Sequence, residues 1–248
     1  MKIGFLGFGE VNQTLAKQLK NKHELYVSIE NRSQNTINKI QKTKIKQIKK
    51  DTELTKHCNL IINATTPKSA LNTAKKYKKY NGIYLDLNNI NPITTEKINK
   101  TLNNFIDGAI IGNIKKLQLL LLSGQQAEKL KFLNETIPTK IISKNPTDAS
   151  KLKMIRSTYT KTITATLKET FNIAEKLNID KQLWEILETT ENTNNFKNNS
   201  ISRIKNSNKN RKIEEIEEIL NYLEYMNISD YDKIMINSTY SKFKKKLI

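Results

Sequence analysis

The residues best suited to chemistry begin at the first glycines. Gly7-Phe8-Gly9 closes an apolar run, Met1–Leu6, that has a buried strand's length. Val11–Lys20 follows with Val11, Leu15 and Leu19 on one helical face, and His23–Ile29 then alternates Leu25, Val27 and Ile29 as a second strand. Glycines set between a strand and a helix suit a pyrophosphate, which must come close to backbone and is held by free amides at the positive end of the helix dipole. Gly7 permits the tight turn and Gly9 removes a side chain that would block phosphates, while Phe8, Glu10 and Val11 supply the surrounding backbone. The segment reads as a dinucleotide-binding turn. Asn12 stands where the fingerprint has its third glycine, which predicts slightly wider spacing between helix and strand.

The end of the second strand bears on which dinucleotide is bound. An acid there would hydrogen-bond the ribose hydroxyls of NAD, and an arginine would pair with the extra phosphate of NADP. The chain offers Glu30 and then Asn31-Arg32-Ser33, and Arg32 with Ser33 favours NADP over NAD. Asn88-Asn89 follows another strand, Ile83–Leu87, at the end where ligands of such sheets gather. Its amides suit a substrate carboxylate or ribose, and asparagine is equally an ordinary turn residue there.

Composition narrows the classes. The 248 residues are 37% hydrophobic and 27% charged, and Leu119–Leu122 is far too short for a membrane helix, so no membrane partner is expected. Gly4, Gly7, Gly9 and Glu10 interrupt the first apolar run, which does not read as a signal peptide. The single cysteine, Cys58, suits a reducing cytoplasm, and His57-Cys58 is explained by a strand entrance rather than a metal site. The formal charge of +19 attracts polyanions. Its lysines are dispersed over Lys44–Lys50, Lys75–Lys79, Lys205–Lys212 and Lys242–Lys246, so no specific nucleic-acid partner is expected. An acidic or phosphorylated small molecule is compatible with the same excess.

These groups need a scaffold, and the pattern supplies one. Helices are expected at Gln34–Lys42, Ser69–Tyr80, Thr94–Leu102 and Ala127–Leu133. Strands are expected at Ile45–Ile48, Cys58–Ala64, Ile83–Leu87, Phe105–Ile110, Leu117–Leu122 and Lys140–Ser143. This alternation predicts an α/β fold, a Rossmann-type doubly wound, mostly parallel sheet over 1–146. After Pro146 the period becomes helical. Ala149–Leu177 reads as one long helix, Lys212–Met226 as an amphipathic helix and Asp232–Lys246 as a final helix, around Gln182–Leu187 and a polar stretch, Glu191–Asn210, that reads as a loop or a polar helix. A small all-α domain over 147–248 follows.

In order and spacing, MKIGFLGFGEVNQTLAKQL, LIINATTPKSAL, YLDLNNINPITTEKI, FIDGAIIG and DASKLKMIRSTYTK resemble the β-hydroxyacid dehydrogenase superfamily. Within it they are most similar to the branch with a 6-phosphogluconate-dehydrogenase-like NAD-binding domain and a helical C-terminal domain of unknown function, DUF1932. The resemblance implies an NAD(P)-dependent oxidoreductase of a small, acidic hydroxy or keto compound. It implies that Thr65-Thr66-Pro67 touches the cofactor and that a lysine on the long helix is the general acid/base, followed four residues later by Asn. Here those positions are Lys153 and Ser157, which share a helix face and would both point into a cleft. The family's substrate segment, Asp-x-x-x-Ser-Gly-Gly, is Asp107-Gly108-Ala109-Ile110-Ile111-Gly112-Asn113, and Ile111 cannot make the serine's hydrogen bonds. Thr160 replaces the acid that follows the lysine in true 6-phosphogluconate dehydrogenases, which argues against oxidative decarboxylation. A non-catalytic dinucleotide sensor or scaffold is the alternative. Surplus apolar surface on the C-terminal helices predicts a homodimer through them.

Overall fold

A computed structural model describes residues 1–43, 45–191, 195–205 and 209–245. The chain divides into two compact units, Met1–Lys153 and Met154–Ile248. Residue 146, where the sequence changes period, lies just before the long helix, and the units divide within that helix.

The first unit runs β1 (Lys2–Leu6), α1 (Glu10–Leu19), β2 (Glu24–Ser28), α2 (Gln34–Gln41), β3 (Lys46–Ile48), α3 (Leu54–His57), β4 (Leu60–Asn63), α4 (Ala70–Lys75), β5 (Ile83–Asp86), α5 (Pro92–Asn99), β6 (Phe105–Ile111), β7 (Leu119–Ser123) and β8 (Thr139–Ser143). One eight-stranded sheet has the order β3-β2-β1-β4-β5-β6-β7-β8, and its order reverses on either side of β1. Every pairing is parallel except β6 with β7. The link Gly112–Gln118 is too short for the crossover that a parallel neighbour needs, so β7 must turn back.

The central strands are buried on both faces, which is why they read as continuous apolar runs. Ile3, Phe5, Val27, Leu60, Ile62 and Leu85 pack with Leu15 and Leu19 of α1 on one face. Leu6, Ile61, Tyr84 and Phe105 pack on the other with Ala70, Ala74, Tyr77 and Ile98. Each large apolar side chain so buried stabilises the fold by about 1.5–3 kcal/mol. The expected helix over 69–80 is shorter. A 3-10 turn at Pro67–Ser69 leads into α4, which ends at Lys75. The expected helix over 127–133 is a 3-10 segment, Ala127–Glu135. A 3-10 turn at Asp51–Glu53 and the single turn α3 lacked a periodic signal because each is too short to show one.

The long helix is α6 (Asp148–Lys176), and the second unit continues with α7 (Asp180–Thr190), α8 (Phe196–Lys205), α9 (Lys209–Tyr225) and α10 (Asp230–Lys245). The second unit's core includes Phe171, Ala174, Ile213, Ile216, Ile219 and Ile236. Phe171 stacks on Trp184 with ring centroids 3.8 Å apart. Within the polar stretch 191–210, α8 forms one helix, and 192–194 and 206–208 lie outside the described residues.

Candidate dinucleotide site

The turn after β1 is built as the glycines require. Gly7 has φ +77°, and a Cβ on it would stand 2.6 Å from the Ala64 carbonyl oxygen. Gly9 caps α1 in an extended conformation, and a Cβ placed there would meet nothing within 4 Å. It would project into the open groove. Asn12, where the fingerprint has its third glycine, takes a tying role in the turn. It is fully buried, and its Nδ2 donates to the carbonyls of Leu6 at 3.0 Å and Gly7 at 2.7 Å. Gln13 Nε2 donates to the Phe8 carbonyl at 2.7 Å. Side chains of α1 thus occupy three consecutive carbonyls of the turn.

A groove of about 840 Å3 opens over this turn. Of the sequence-predicted cofactor residues, Gly7, Phe8, Gly9, Glu10, Asn31, Arg32, Thr65 and Thr66 line it. Val11, Ser33 and Pro67 do not. Val11 packs against the core, the Ser33 hydroxyl caps α2 by accepting from the Thr36 amide at 3.4 Å, and Pro67 opens a 3-10 turn. The sequence reading missed Thr14 and Lys17 on α1, Ser69, Thr73 and Lys76 along α4, and Lys115 after β6, all on the groove wall. Helical spacing from Glu10 and from Ser69 was the available signal for the first five. Lys115 reaches the groove through a fold contact, with its Nζ 3.9 Å from Glu10 Oε1.

At the far end, Glu30 Oε2 accepts the Asp51 amide at 2.7 Å. Asp51 is buried and lies 3.6 Å from the Arg32 guanidinium and 3.9 Å from Lys76 Nζ. Arg32 Nε is buried without a hydrogen-bond partner among the described residues. Thr36 and Lys39 line the same end. An orphaned guanidinium N–H beside two lysines and a hydroxyl fits an anion. With the open ground over Gly9, the donor set suits a dinucleotide phosphate chain.

A row of polar side chains crosses the sheet at the ends of β4, β5 and β7 and within β6. Asn63, Asp86, Asp107 and Ser123 are register partners across β4, β5, β6 and β7, and all four are buried. Thr65 donates to Asn63 Oδ1 at 3.0 Å, and Asn63 Nδ2 donates to Asp86 Oδ2 at 2.7 Å. Asn88 is buried and turned inward, its backbone and side-chain N–H groups donating to Asp86 at 2.9–3.1 Å. Asn89 is half-buried beside it. Burial pushes the Asp86 carboxyl up to about 6, against the lowering effect of the Asn88 and Asn63 hydrogen bonds. Burial also pushes Asp107 up to about 7. The Ser150 hydrogen bonds lower it, Asp86 raises it, and Lys153 lowers it.

Ile111 packs with the apolar cluster of Ala109, Leu121 and Ala149. Gly112 has φ +84°, and the Gln118 side chain crosses its open face to accept the Asn113 amide at 2.8 Å, so this glycine serves the turn into β7. Lys153 is half-buried on α6 and belongs to the first unit. Ser157 lies in the second unit's share of the helix, where it accepts from Lys161 Nζ. Lys161 is buried and paired with Glu215 at 2.7 Å. Among the described residues no cluster of His, Cys, Asp and Glu could hold a metal. His57 stacks on Tyr26, and burial pushes the Cys58 thiol up to about 12.

A glycine turn over the C-terminal ends of a sheet whose order reverses at that point defines a Rossmann-type dinucleotide-binding protein. Residues 2–89 match the family "NADP oxidoreductase coenzyme F420-dependent". An uncharacterized 28.5 kDa protein from the 7S RNA 5′ region of Methanothermus fervidus is 44% identical over 194 residues, 77% of each chain. A solved conserved protein of unknown function, described as structurally similar to 3-hydroxyacid dehydrogenases, is 33% identical with TM-score 0.86, covering 99% of this chain and 96% of that one. The Mycobacterium tuberculosis 3-hydroxyisobutyrate dehydrogenase shares the fold with TM-score 0.79 at 11% identity, covering 98% of this chain and 92% of that one. The chain belongs to the β-hydroxyacid dehydrogenase superfamily. No described helix is long and apolar enough to cross a membrane.

Proposed function

We propose that the chain is a cytoplasmic, NADP-preferring oxidoreductase that interconverts a small acidic hydroxy compound and its keto form. The observation that carries it is the far end of the glycine groove. Glu30 is engaged by the Asp51 amide, while Arg32, ion-paired with Asp51, keeps a buried Nε without a hydrogen-bond partner among the described residues, and Lys39 and Lys76 line the same groove. An acid already committed to backbone favours NAD less, and a cationic pocket favours the extra phosphate of NADP. The matching family's description, which names NADP, supports the same choice.

When bound, the nicotinamide dinucleotide supplies or accepts the hydride. The chain's own residues do the rest. Amides at the start of α1 and Lys115 would hold the phosphate chain, and Thr65 and Thr66, just after β4, would line its groove. Lys153 donates its proton to the carbonyl oxygen in reduction and takes the hydroxyl proton in oxidation. Ile111 cannot make the serine hydrogen bond that a carboxylate receives in the wider family, and the half-buried Asn89, just after β5, is the donor we assign to the substrate. We further propose a homodimer through the C-terminal helices. The small molecule is the partner, not a specific nucleic acid.

Fluorescence titration with NADPH and NADH tests the cofactor. Arg32→Ala is expected to weaken NADPH by about tenfold or more and leave NADH within about twofold. Equal loss for both would overturn the preference. A panel of small 2- and 3-hydroxy acids with NADP then tests catalysis. Turnover abolished by Lys153→Ala supports the assignment. Tight NADPH binding with no turnover across the panel would instead support a dinucleotide sensor.

A further inference from the structure

The buried acid Asp107 has no part in the chemistry described so far, yet it sits at the start of the helix that carries Lys153. The first amides of an α-helix lack partners within it and are ordinarily capped by a local side chain. In α6 the sheet does this work. The Ala149 amide donates to Ser123 Oγ at 3.0 Å, and the Ser150 amide donates to Asp107 Oδ2 at 2.7 Å. The Ser150 hydroxyl donates to Asp107 Oδ1 at 2.6 Å and lies 3.2 Å from the Thr95 hydroxyl of α5. Ser143 of β8 donates to Asp148 Oδ2 at 2.6 Å. Residues of three adjacent strands, β6, β7 and β8, therefore grip the first turn of α6. Lys153 follows Ser150 by three residues, less than one helical turn.

We propose that Asp107 is the positioning residue for Lys153: it fixes the first turn of α6 on the sheet and sets the proton affinity of the lysine. This rests on Lys153 as the proton-transfer group. A carboxylate at a helix N-terminus is favoured by the dipole, and two charge-assisted hydrogen bonds make the cap directional. The charged groups facing Asp107 are Asp86 from β5 and Lys153 from α6. Asp86 opposes its ionisation and Lys153 favours it. Opposite charges favour each other's ionised form, so a charged Asp107 favours the charged lysine as the lysine favours the carboxylate. Asp86 is in turn bonded through Asn63 to Thr65 of the groove wall. A hydrogen-bonded route thus runs from the groove to Asp86, the charged neighbour of the cap.

The test uses the full-length chain and two readouts that need no substrate. The first is competitive acetylation with acetic anhydride, following Lys153 against the exposed Lys129 by mass spectrometry from about pH 5.5 to pH 8.5. The second is amide hydrogen exchange over the first turn of α6. Asp107→Asn keeps an acceptor for the Ser150 amide and removes the charge. It is expected to raise Lys153 labelling about three- to tenfold at pH 8 and to leave it unchanged at the acid end. Asp107→Ala is expected to do the same and also to speed exchange at Ser150 by about fivefold or more. Ser150→Ala, which keeps the backbone bond, guards against a failure of Asp107→Ala to fold and is expected to leave Lys153 labelling within about twofold. Labelling profiles of wild type and Asp107→Asn that superimpose at every pH would overturn the proposal. If Lys153→Ala left turnover intact while these labelling differences appeared, the catalytic reading would fail and the coupling of Asp107 to Lys153 would stand.

Discussion

Gly7 and Gly9 lie two residues apart in one turn and are required for different reasons. Gly7 is needed by the chain, since a side chain there meets both a left-handed backbone and the Ala64 carbonyl. Gly7→Ala is expected to cost about 1–3 kcal/mol of stability, read as a lower melting temperature. Gly9 is needed by the ligand. Gly9→Ala is expected to melt within about 1 kcal/mol of wild type and to bind NADPH about tenfold or more weaker, because the new Cβ fills open ground in the groove. The reverse pattern, with Gly9→Ala destabilised and binding normally, would count against the site. Both glycines were legible in the sequence because their spacing and flanking elements define them. Asn12 was not, because only the folded turn shows that its amide ties down the Leu6 and Gly7 carbonyls. Lys115 was equally hidden, since it reaches the groove from an element distant in sequence.

At the scale of elements, the strands were read well because a strand buried on both faces leaves an unbroken apolar run. The shorter helical pieces were not, since 3-10 turns such as Ala127–Glu135 carry apolar residues at a spacing close to that of an α-helix. The orientation of β7 follows from loop length, a property of the connection and not of the strand. The pair of buried acids on β5 and β6 has a consequence for stability. Asp86 and Asp107 hold protons more tightly when folded than the ordinary carboxylate range near 4. The folded chain therefore binds more protons than the unfolded chain above about pH 4. The stability this gives is fully present below about pH 4 and is lost as the pH rises through about 6 and 7. Melting temperature should fall over that window, and Asp86→Asn should flatten the fall, as differential scanning calorimetry at a series of pH values would reveal. An unchanged slope in the variant would place the pH dependence elsewhere.

For the whole molecule, the charge of +19 and the apolar surface of the helical unit make separate predictions. Basic residues scattered over the surface attract polyanions without fixing a register. Retention on heparin should therefore collapse between about 50 and 200 mM salt, and retention at high salt would argue for a specific nucleic-acid interface. On α10, Tyr231, Ile234 and Met235 are exposed at helical spacing, with Ile228 just before them. Sedimentation should show a dimer, and Ile234→Asp should yield a folded monomer; a monomeric wild type would refute that interface.

The row Asn63–Asp86–Asp107–Ser123 also bears on how the sheet finds its pairing. Parallel strands form late, after long loops have closed, and apolar strands buried on both faces have little to tell one alignment from the next. A slip of one residue would set Asp86 against Ile106 or Gly108 and turn a carboxylate onto the opposite, aliphatic face. The penalty for an unpartnered buried acid exceeds what any single Leu or Ile contact could return. Alignment of β4 to β7 is therefore expected to fail when the row is made apolar, and Asp86→Leu with Asp107→Leu should refold more slowly, or to a mixture, by stopped-flow fluorescence.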